Sequence, residues 1–215
     1  MARSTCIAVL SGGRSGSSCV AGVLYTLGIY MGAELIGRSP SNRMAHFEDL
    51  EFVDLHRQMV GDWRHAKLSV SGPGSAYRQL VRRREQRQLW GLKDPRLCFT
   101  FRFLTDTLSD DTTLKAIRVW RDPNVSAASM VARAKREPHV EHLQVTLPQA
   151  KRIARAYHAA LEESLNGWEG PLLAVDYNEL VDDPPAGIEA IAHFCGIPSN
   201  ARAVAFVKPG LRHHR

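Results

Sequence analysis

The 215-residue sequence lacks the long apolar runs and the cysteine patterns that define several classes of protein. No segment approaches the roughly 20 apolar residues of a membrane-spanning helix. The apolar run Cys6–Leu10 is also too short for the core of a signal peptide. We therefore expect a cytoplasmic protein with no transmembrane segment. Its length and its 44% of hydrophobic residues suit one globular domain over residues 1–215.

Cysteine is scarce, with only four residues in the chain. No two of them have the CxxC spacing of redox or zinc sites, and no cysteine–histidine pattern accompanies them. Most lie inside apolar segments, where cysteine behaves as a small buried hydrophobe. We expect free, buried thiols and no resident metal. The four are Cys6, Cys19, Cys98 and Cys195.

Positive charge is in excess, with a formal net charge of +6. Its densest cluster, Arg78–Arg87, lies in a helical pattern and has no aromatic residues between its arginines. Proteins that bind single-stranded nucleic acid use such aromatics to stack bases. We therefore interpret the cluster as a solvated helix face and expect no nucleic-acid partner. The surplus charge is compatible with a small ligand that carries several phosphates.

A glycine-rich loop follows the first apolar segment. Thr5–Leu10 is predicted as a buried strand, Ser11–Ser18 as a tight loop, and Ser18–Leu27 as a helix that Gly28 caps. Strand, glycine-rich loop and helix open many α/β nucleotide-binding folds. The loop amides and the helix N-terminus would together bind an anion. We predict that Ser11–Ser18 binds the 5′-phosphate group of a nucleotide.

Later segments repeat this alternation of strand and helix. Leu89–Lys93, Lys115–Val119 and Leu172–Val175 are predicted as buried strands. The predicted helices are Asp49–Val60, Ala76–Leu89, Arg96–Leu108, Asn124–Lys135, Gln149–Leu165 and Pro185–Cys195. The alternation predicts an α/β, P-loop-like three-layer fold, with a central parallel sheet of about four to five strands flanked by helices.

The loop departs from the sequence of ATP-binding loops. After Gly16 the chain has Ser17 and Ser18, where GxxxxGK[ST] requires a lysine. Phosphoryl transfer from ATP also needs Mg²⁺, for which Asp176 is a candidate acidic partner. A small-molecule kinase with a degenerate loop therefore stays an alternative. So does a non-catalytic nucleotide-binding module that contacts a partner through the Arg78–Arg87 helix.

Four segments resemble the sulfotransferase family, whose members use 3′-phosphoadenosine 5′-phosphosulfate (PAPS). They occur in order between residue 5 and about residue 197. The segments are Gly13-Arg14-Ser15-Gly16-Ser17-Ser18, Lys93-Asp94-Pro95-Arg96, Arg121-Asp122-Pro123 followed by Ser129, and Val175-Asp176-Tyr177-Asn178-Glu179-Leu180. This resemblance implies a sulfotransferase that moves a sulfuryl group to a hydroxyl of a small molecule, lipid or sugar by in-line displacement.

The resemblance also implies which residues bind the nucleotide. The 5′-phosphosulfate would lie in the loop formed by Gly13, Arg14, Ser15, Gly16, Ser17 and Ser18. Arg121 at a strand end and Ser129 on the next helix would bind the 3′-phosphate, since a guanidinium group suits phosphate oxygens. Tyr177 would lie near the adenine.

Residues 42–48 resemble the family segment that carries the catalytic base, although Ala45 stands where the family has glycine. Glu48 is the first candidate for this base. His46 is the second, because an imidazole titrates near neutral pH. Arg14 would stabilise the leaving group. Lys93 would contact the transferring sulfonate, or Asp94 would pair with Arg96 as a structural element.

The acceptor is expected to bind among loops beyond the strand ends. Three segments are candidates: Gly32–Ala45, Ser69–Ser75 and Glu137–Leu147.

Overall fold

A four-stranded parallel sheet forms the centre of the protein, whose computed structural model describes residues 4–40, 42–60 and 70–208. The strands are β1 (Ser4–Leu10), β2 (Leu89–Lys93), β3 (Thr112–Trp120) and β4 (Leu172–Asp176). Their order is β2-β1-β3-β4, and every neighbouring pair is parallel. The predicted parallel sheet is confirmed, and the carboxyl ends of all four strands meet at one edge.

Nine α-helices and one 3₁₀ turn are found among the described residues. They are α1 (Ser17–Thr26), α2 (Leu50–Met59), α3 (Ser75–Arg84), α4 (Leu97–Thr107), α5 (Pro123–Arg136), η1 (Glu141–Leu143), α6 (Leu147–Leu165), α7 (Tyr177–Asp182), α8 (Pro184–Cys195) and α9 (Ala201–Phe206). None of the helices in the described part of the chain has the length and apolar character that crossing a membrane requires.

The predicted helices are confirmed to within a few residues, with one exception. The helix predicted over Ala76–Leu89 ends at Arg84, and Glu85 is its C-cap, whose backbone N–H still donates to the Val81 carbonyl. The Glu85 carboxylate accepts hydrogen bonds from the backbone and side chain of Ser109 and from Thr112, each at 2.7 Å. These bonds tie the end of α3 to the start of β3. The six-residue helices α7 and α9 were not predicted.

Helices cover both faces of the sheet. In β1, Ile7 and Val9 point into a core shared with α1, α8 and α9, while Cys6, Ala8 and Leu10 point into a core shared with α2, α3, α4 and α6. All five side chains are buried, which explains why the strand reads as a continuous apolar run. The four cysteines are buried and free, as expected.

The interpretation of Arg78–Arg87 as a solvated face is only partly right. Arg84 is buried, and its Nη2 lies 2.6 Å from Asp49 Oδ2 and 2.5 Å from Glu51 Oε2. Arg83 also pairs with Glu51, at 2.7 Å. Asp49 is the N-cap of α2, so these ion pairs join α3 to the start of α2. Much of this charge therefore serves internal packing rather than a partner surface.

Candidate active site

A cavity of about 450 Å³ lies at the sheet edge where the four strands end. Lining residues follow each strand, including Gly13 after β1, Arg121 after β3 and Tyr177 after β4, while Lys93 is the last residue of β2. Every predicted site residue lines this cavity except Ser15. Loops at the carboxyl ends of parallel strands are the usual ligand site of such folds.

The glycine-rich loop has the backbone of an anion cradle. Arg14 and Gly16 have positive φ angles of 66° and 94°. Ser15 is buried, and its hydroxyl donates to the Gly12 carbonyl at 2.6 Å, so it holds the loop closed from within. Gly16 is the N-cap of α1 and has no side-chain oxygen to cap the helix. An anion can take that place at the first helical N–H groups.

Gly16 also allows the loop to approach Tyr177. A Cβ atom at position 16 would lie 2.1 Å from Cδ2 of Tyr177, which no side chain can tolerate. The tyrosine is buried, and its ring centroid is 5.0 Å from Cζ of Arg121. The loop, the arginine after β3 and the tyrosine after β4 thus form one packed unit.

The positive charges of the site are concentrated around Arg14. Its Nε donates to Ser129 Oγ at 3.2 Å, and its carbonyl accepts from Arg121 Nη1 at 3.3 Å. The pKa of Arg14 is lowered to about 10 by burial and by the charges of Arg133, Arg136 and Arg121. At neutral pH the guanidinium stays charged among like charges, a situation that an anionic ligand relieves.

Asp176 caps α7. Its Oδ1 accepts from the backbone N–H groups of Asn178 at 2.7 Å and Glu179 at 3.3 Å. This engagement weighs against Asp176 as the Mg²⁺ ligand that a kinase would use. Across residues 4–40, 42–60 and 70–208, no three His, Cys, Asp or Glu side chains are grouped as metal ligands.

Glu48 and Lys93 form a buried ion pair in the cavity wall. Lys93 Nζ lies 2.5 Å from Glu48 Oε1, and it also donates to Ser18 Oγ at 3.2 Å and to the His46 carbonyl at 3.4 Å. Glu48 precedes the N-cap Asp49, so it does not belong to the first turn of α2, and the helix dipole does not explain its position. The pair connects the first candidate base to the glycine-rich loop.

An unusual backbone path turns this segment towards the cavity. Ala45 and Phe47 have positive φ angles of 84° and 54°. For a residue with a side chain, this conformation costs roughly 1–2 kcal/mol. Ala45 therefore adopts the conformation that glycine would adopt at lower cost. The Phe47 ring packs between Tyr25 and Phe206, with centroid distances of 5.5 and 5.8 Å, and this packing anchors the strained segment.

His46 differs from the expectation that it titrates near neutral pH. Its Nε2 lies 3.2 Å from Ser39 Oγ, and its Nδ1 lies 3.9 Å from Glu48 Oε1. Burial, followed by the charges of Lys93 and of the arginines at 133 and 14, lowers the pKa of His46 to about 4. The ring is neutral at pH 7 and is a weaker base than predicted.

This lowered pKa makes a pH-dependent contribution to stability. Because the folded protein holds His46 neutral, its contribution is complete above the unfolded pKa of about 6.5 and is lost as the pH falls towards 4. We expect the urea midpoint of wild type to fall more steeply from pH 7 to pH 4 than that of His46→Asn. The exposed His193 is the control, since His193→Asn should keep the wild-type slope. Parallel curves for wild type and His46→Asn would contradict the pKa shift.

A buried histidine beneath the cavity escaped prediction. His56 and Asp94 are both fully buried, with Nδ1 and Oδ2 3.2 Å apart. The Asp94 Oδ1 also accepts from the backbone N–H of Arg96 at 2.7 Å and from its Nη1 at 3.0 Å, so the expected Asp94–Arg96 pair is present. Burial would raise the pKa of Asp94, but the hydrogen bond and charge of His56 and the charge of Arg96 lower it to about 2. This cluster fixes the end of β2 beside Lys93.

Two of the three loops predicted to bind the acceptor line the cavity. Gly32–Ala45 contributes four residues and Glu137–Leu147 contributes another four. These are Ile36, Ser39, Asn42, Met44, Glu137, Val140, Leu143 and Val145. The described residues of Ser69–Ser75 do not line it, and Val70 instead pairs with Val60. The described residues of this segment pack at the end of α2, so that part of the prediction gains no support from the cavity.

Comparisons with known proteins agree with the predicted family and fold. The sequence profile described as "Sulfotransferase family" matches residues 61–201. No curated protein sequence matches the chain significantly.

Three similar solved structures are all described as sulfotransferases. The sulfotransferase STF1 of Mycobacterium tuberculosis H37Rv has 18% identity and a TM-score of 0.60, over 96% of this chain and 71% of that one. The sulfotransferase domain from the curacin biosynthetic pathway has 13% identity and a TM-score of 0.59, over 93% and 76%. A sulfotransferase from Alicyclobacillus acidocaldarius has 16% identity and a TM-score of 0.54, over 93% and 83%. At these identities the likeness demonstrates a shared fold.

Proposed function

Because the chain belongs to the sulfotransferase family, we propose that it transfers the sulfuryl group of PAPS to a hydroxyl group of a small molecule, lipid or sugar. One observation carries the proposal. The loop around Arg14, together with Arg121 and Ser129, which both contact Arg14, lines the same cavity as the buried Glu48–Lys93 pair. The cavity thus combines groups for a doubly anionic nucleotide with a candidate base.

The residues present suit the donor. PAPS carries a 5′-phosphosulfate and a 3′-phosphate, so its binding requires two anion sites. Loop amides and the start of α1 suit the first group. The guanidinium of Arg121 and the hydroxyl of Ser129 suit the second. The Tyr177 ring, packed against Arg121, offers an apolar surface for the adenine.

Charge neutralisation is the main task of the loop. When bound, PAPS supplies an activated sulfuryl group and a leaving group, 3′,5′-ADP. Arg14, the loop amides and the hydroxyls of Ser17 and Ser18 donate hydrogen bonds to the oxygens on which negative charge develops. Lys93 contacts Ser18 and lines the cavity, so its positive charge lies close to the proposed position of the transferring sulfonate. Such positioned donors require no reorganisation during the reaction.

Glu48 is the proposed base. A general base must lie within hydrogen-bond reach of the hydroxyl from which it takes a proton, and Glu48 lines the cavity beside the loop. The Lys93 ammonium compensates its buried negative charge. His46 is the second candidate, and its pKa of about 4 makes it a weaker base than an ordinary imidazole.

The nucleotide assignment is tested by calorimetric titration with 3′,5′-ADP, 5′-AMP and ADP–Mg²⁺. We expect the wild type to prefer 3′,5′-ADP to 5′-AMP, since the 3′-phosphate would contact Arg121. In Arg121→Ala this preference should fall by about 10- to 100-fold, the effect of losing a charge-assisted hydrogen bond.

Arg118→Ala is the matched control on β3. Arg118 pairs with Glu162 and does not line the cavity, so its loss should leave the preference for 3′,5′-ADP unchanged. Stabilising binding of ADP–Mg²⁺ without binding of 3′,5′-ADP would refute the proposed donor and support a kinase.

A further inference from the structure

Apolar side chains from two distant segments line the part of the cavity beyond the nucleotide loop. Ile36 and Met44 come from the segment before α2, while Val140 and Leu143 come from the segment between α5 and α6. All four are half-buried. This wall differs in character from the arginines and hydroxyls around the loop.

These four side chains are separate from the hydrophobic core. Within the described residues, none of them joins the three clusters of buried apolar side chains. Their sequence neighbours Leu35 and Ala45, by contrast, pack against the core on the α1 side. In the segment before α2, some apolar residues therefore pack against the core, and others line the cavity. Apolar surface left in a cavity gains free energy when apolar ligand atoms cover it.

Hydrogen bonds hold the second half of this wall in place. Gln144 Nε2 donates to the carbonyls of Glu137 at 3.0 Å and Val140 at 3.3 Å. A capping box between Thr146 and Gln149 fixes the start of α6 directly afterwards. Contacts within the protein therefore hold this half of the wall in place, as in most small-molecule sites.

Polar side chains of the same two segments also line the cavity, but Ser39 is hydrogen-bonded to His46 and Glu137 pairs with Arg133. Glu48, Lys93 and His46 provide the groups that would contact a reacting hydroxyl. A free sugar would bring further hydroxyls against Val140 and Leu143, which offer no side-chain hydrogen bonds, and each unpaired hydroxyl would cost binding energy. We infer that the acceptor is an alcohol with an apolar body, alkyl or aromatic, rather than a free sugar. This inference rests on the proposed function and narrows its acceptor class.

Straight-chain alcohols test the inference. Butan-1-ol to decan-1-ol and glucose are titrated into the protein with and without saturating 3′,5′-ADP. We expect affinity to rise by up to about fourfold per methylene until the cavity is filled, with no binding of glucose. An affinity that does not change with chain length, or binding of glucose in preference to the alcohols, would overturn the inference.

Variants locate the binding surface. Val140→Asp should lower the affinity for decan-1-ol by at least the factor that several methylene groups add to it. Leu147→Asp should leave this affinity unchanged. Leu147 follows in the same part of the chain but is exposed and does not line the cavity. Leu143→Trp fills the cavity and should shift the tightest-binding alcohol to a shorter chain. Unchanged alcohol binding in both Val140→Asp and Leu143→Trp would contradict the site.

Two results separate this inference from the proposed function. If 3′,5′-ADP binds and the alcohols do not, the acceptor class is wrong and the nucleotide assignment stands. If the alcohols bind with the expected dependence on chain length and 3′,5′-ADP does not, the apolar site stands and the PAPS assignment fails. Unchanged 3′,5′-ADP affinity in the Val140 and Leu143 variants also verifies that they are folded.

Discussion

Replacing Glu48 with glutamine is expected to lower kcat for an aliphatic alcohol by about 10²- to 10⁴-fold, the usual contribution of a general base. Glutamine keeps the size of the side chain but cannot accept the proton. The affinity for 3′,5′-ADP should change little, because Glu48 belongs to the acceptor side of the proposed site. The measurement is the transfer of labelled sulfate from PAPS to decan-1-ol.

A second acceptor distinguishes a base from a structural residue. 4-Nitrophenol is partly ionised near neutral pH and needs little help in losing its proton, so Glu48→Gln should lose far less activity with it than with decan-1-ol. Equal losses with both acceptors would show that Glu48 acts by positioning Lys93. Glu51→Gln, an exposed neighbour on α2 that does not line the cavity, should retain wild-type turnover.

Replacing Arg14 with alanine is expected to lower kcat by on the order of 100-fold or more, as when an enzyme loses one donor to a developing oxyanion. The free protein should nevertheless melt no lower than wild type. Arg14 is buried among the charges of Arg133, Arg136 and Arg121, and its lowered pKa reports that its own charge is unfavourable there. Arg14→Ala is therefore expected to lose activity without losing stability, because it removes the repulsion between Arg14 and the neighbouring arginines.

Melting curves and turnover measurements together test whether Arg14→Ala loses activity while keeping its stability. Arg136→Ala is the matched variant, because Arg136 shares the repulsion with Arg14 but is exposed and does not line the cavity. It should retain turnover and the thermal shift with 3′,5′-ADP, whereas Arg14→Ala should lose both. A marked fall in the melting temperature of free Arg14→Ala would show that its hydrogen bond to Ser129 outweighs the repulsion.

The spacing of apolar residues predicted those strands and helices whose buried face carries an uninterrupted apolar pattern. The strand Leu89–Lys93 was predicted with its observed ends, because it is a short apolar run that a turn precedes. The end of α3 was missed since the contact of its C-cap Glu85 with Ser109 joins residues far apart in sequence and leaves no local pattern. Helices α7 and α9 have six residues each, which is too short for a helical period to register.

Motif order predicted which residues line the site, but not how they interact. The pairing of Glu48 with Lys93 connects segments that no local pattern relates, and the same holds for His56 and Asp94. His56 lies on the buried face of α2 with Phe52, Val53 and Met59. A histidine among apolar residues at helical spacing was therefore the sequence signal for a buried histidine. The low pKa of His46 depends on arginines from other elements, so sequence alone could not supply it.

The contact between Gly16 and Tyr177 has a consequence for the order in which the protein acquires its binding site during translation. Strand β1, the loop and α1 are translated before their partners, since β1 gains its neighbours only with β2 and β3, and the loop gains its tyrosine only after β4. A nascent chain that ends before Tyr177 lacks one wall of the proposed nucleotide site. The proposed nucleotide site therefore forms only after β4 and Tyr177 have been translated, and a nucleotide that binds there would stabilise the folded state rather than earlier intermediates.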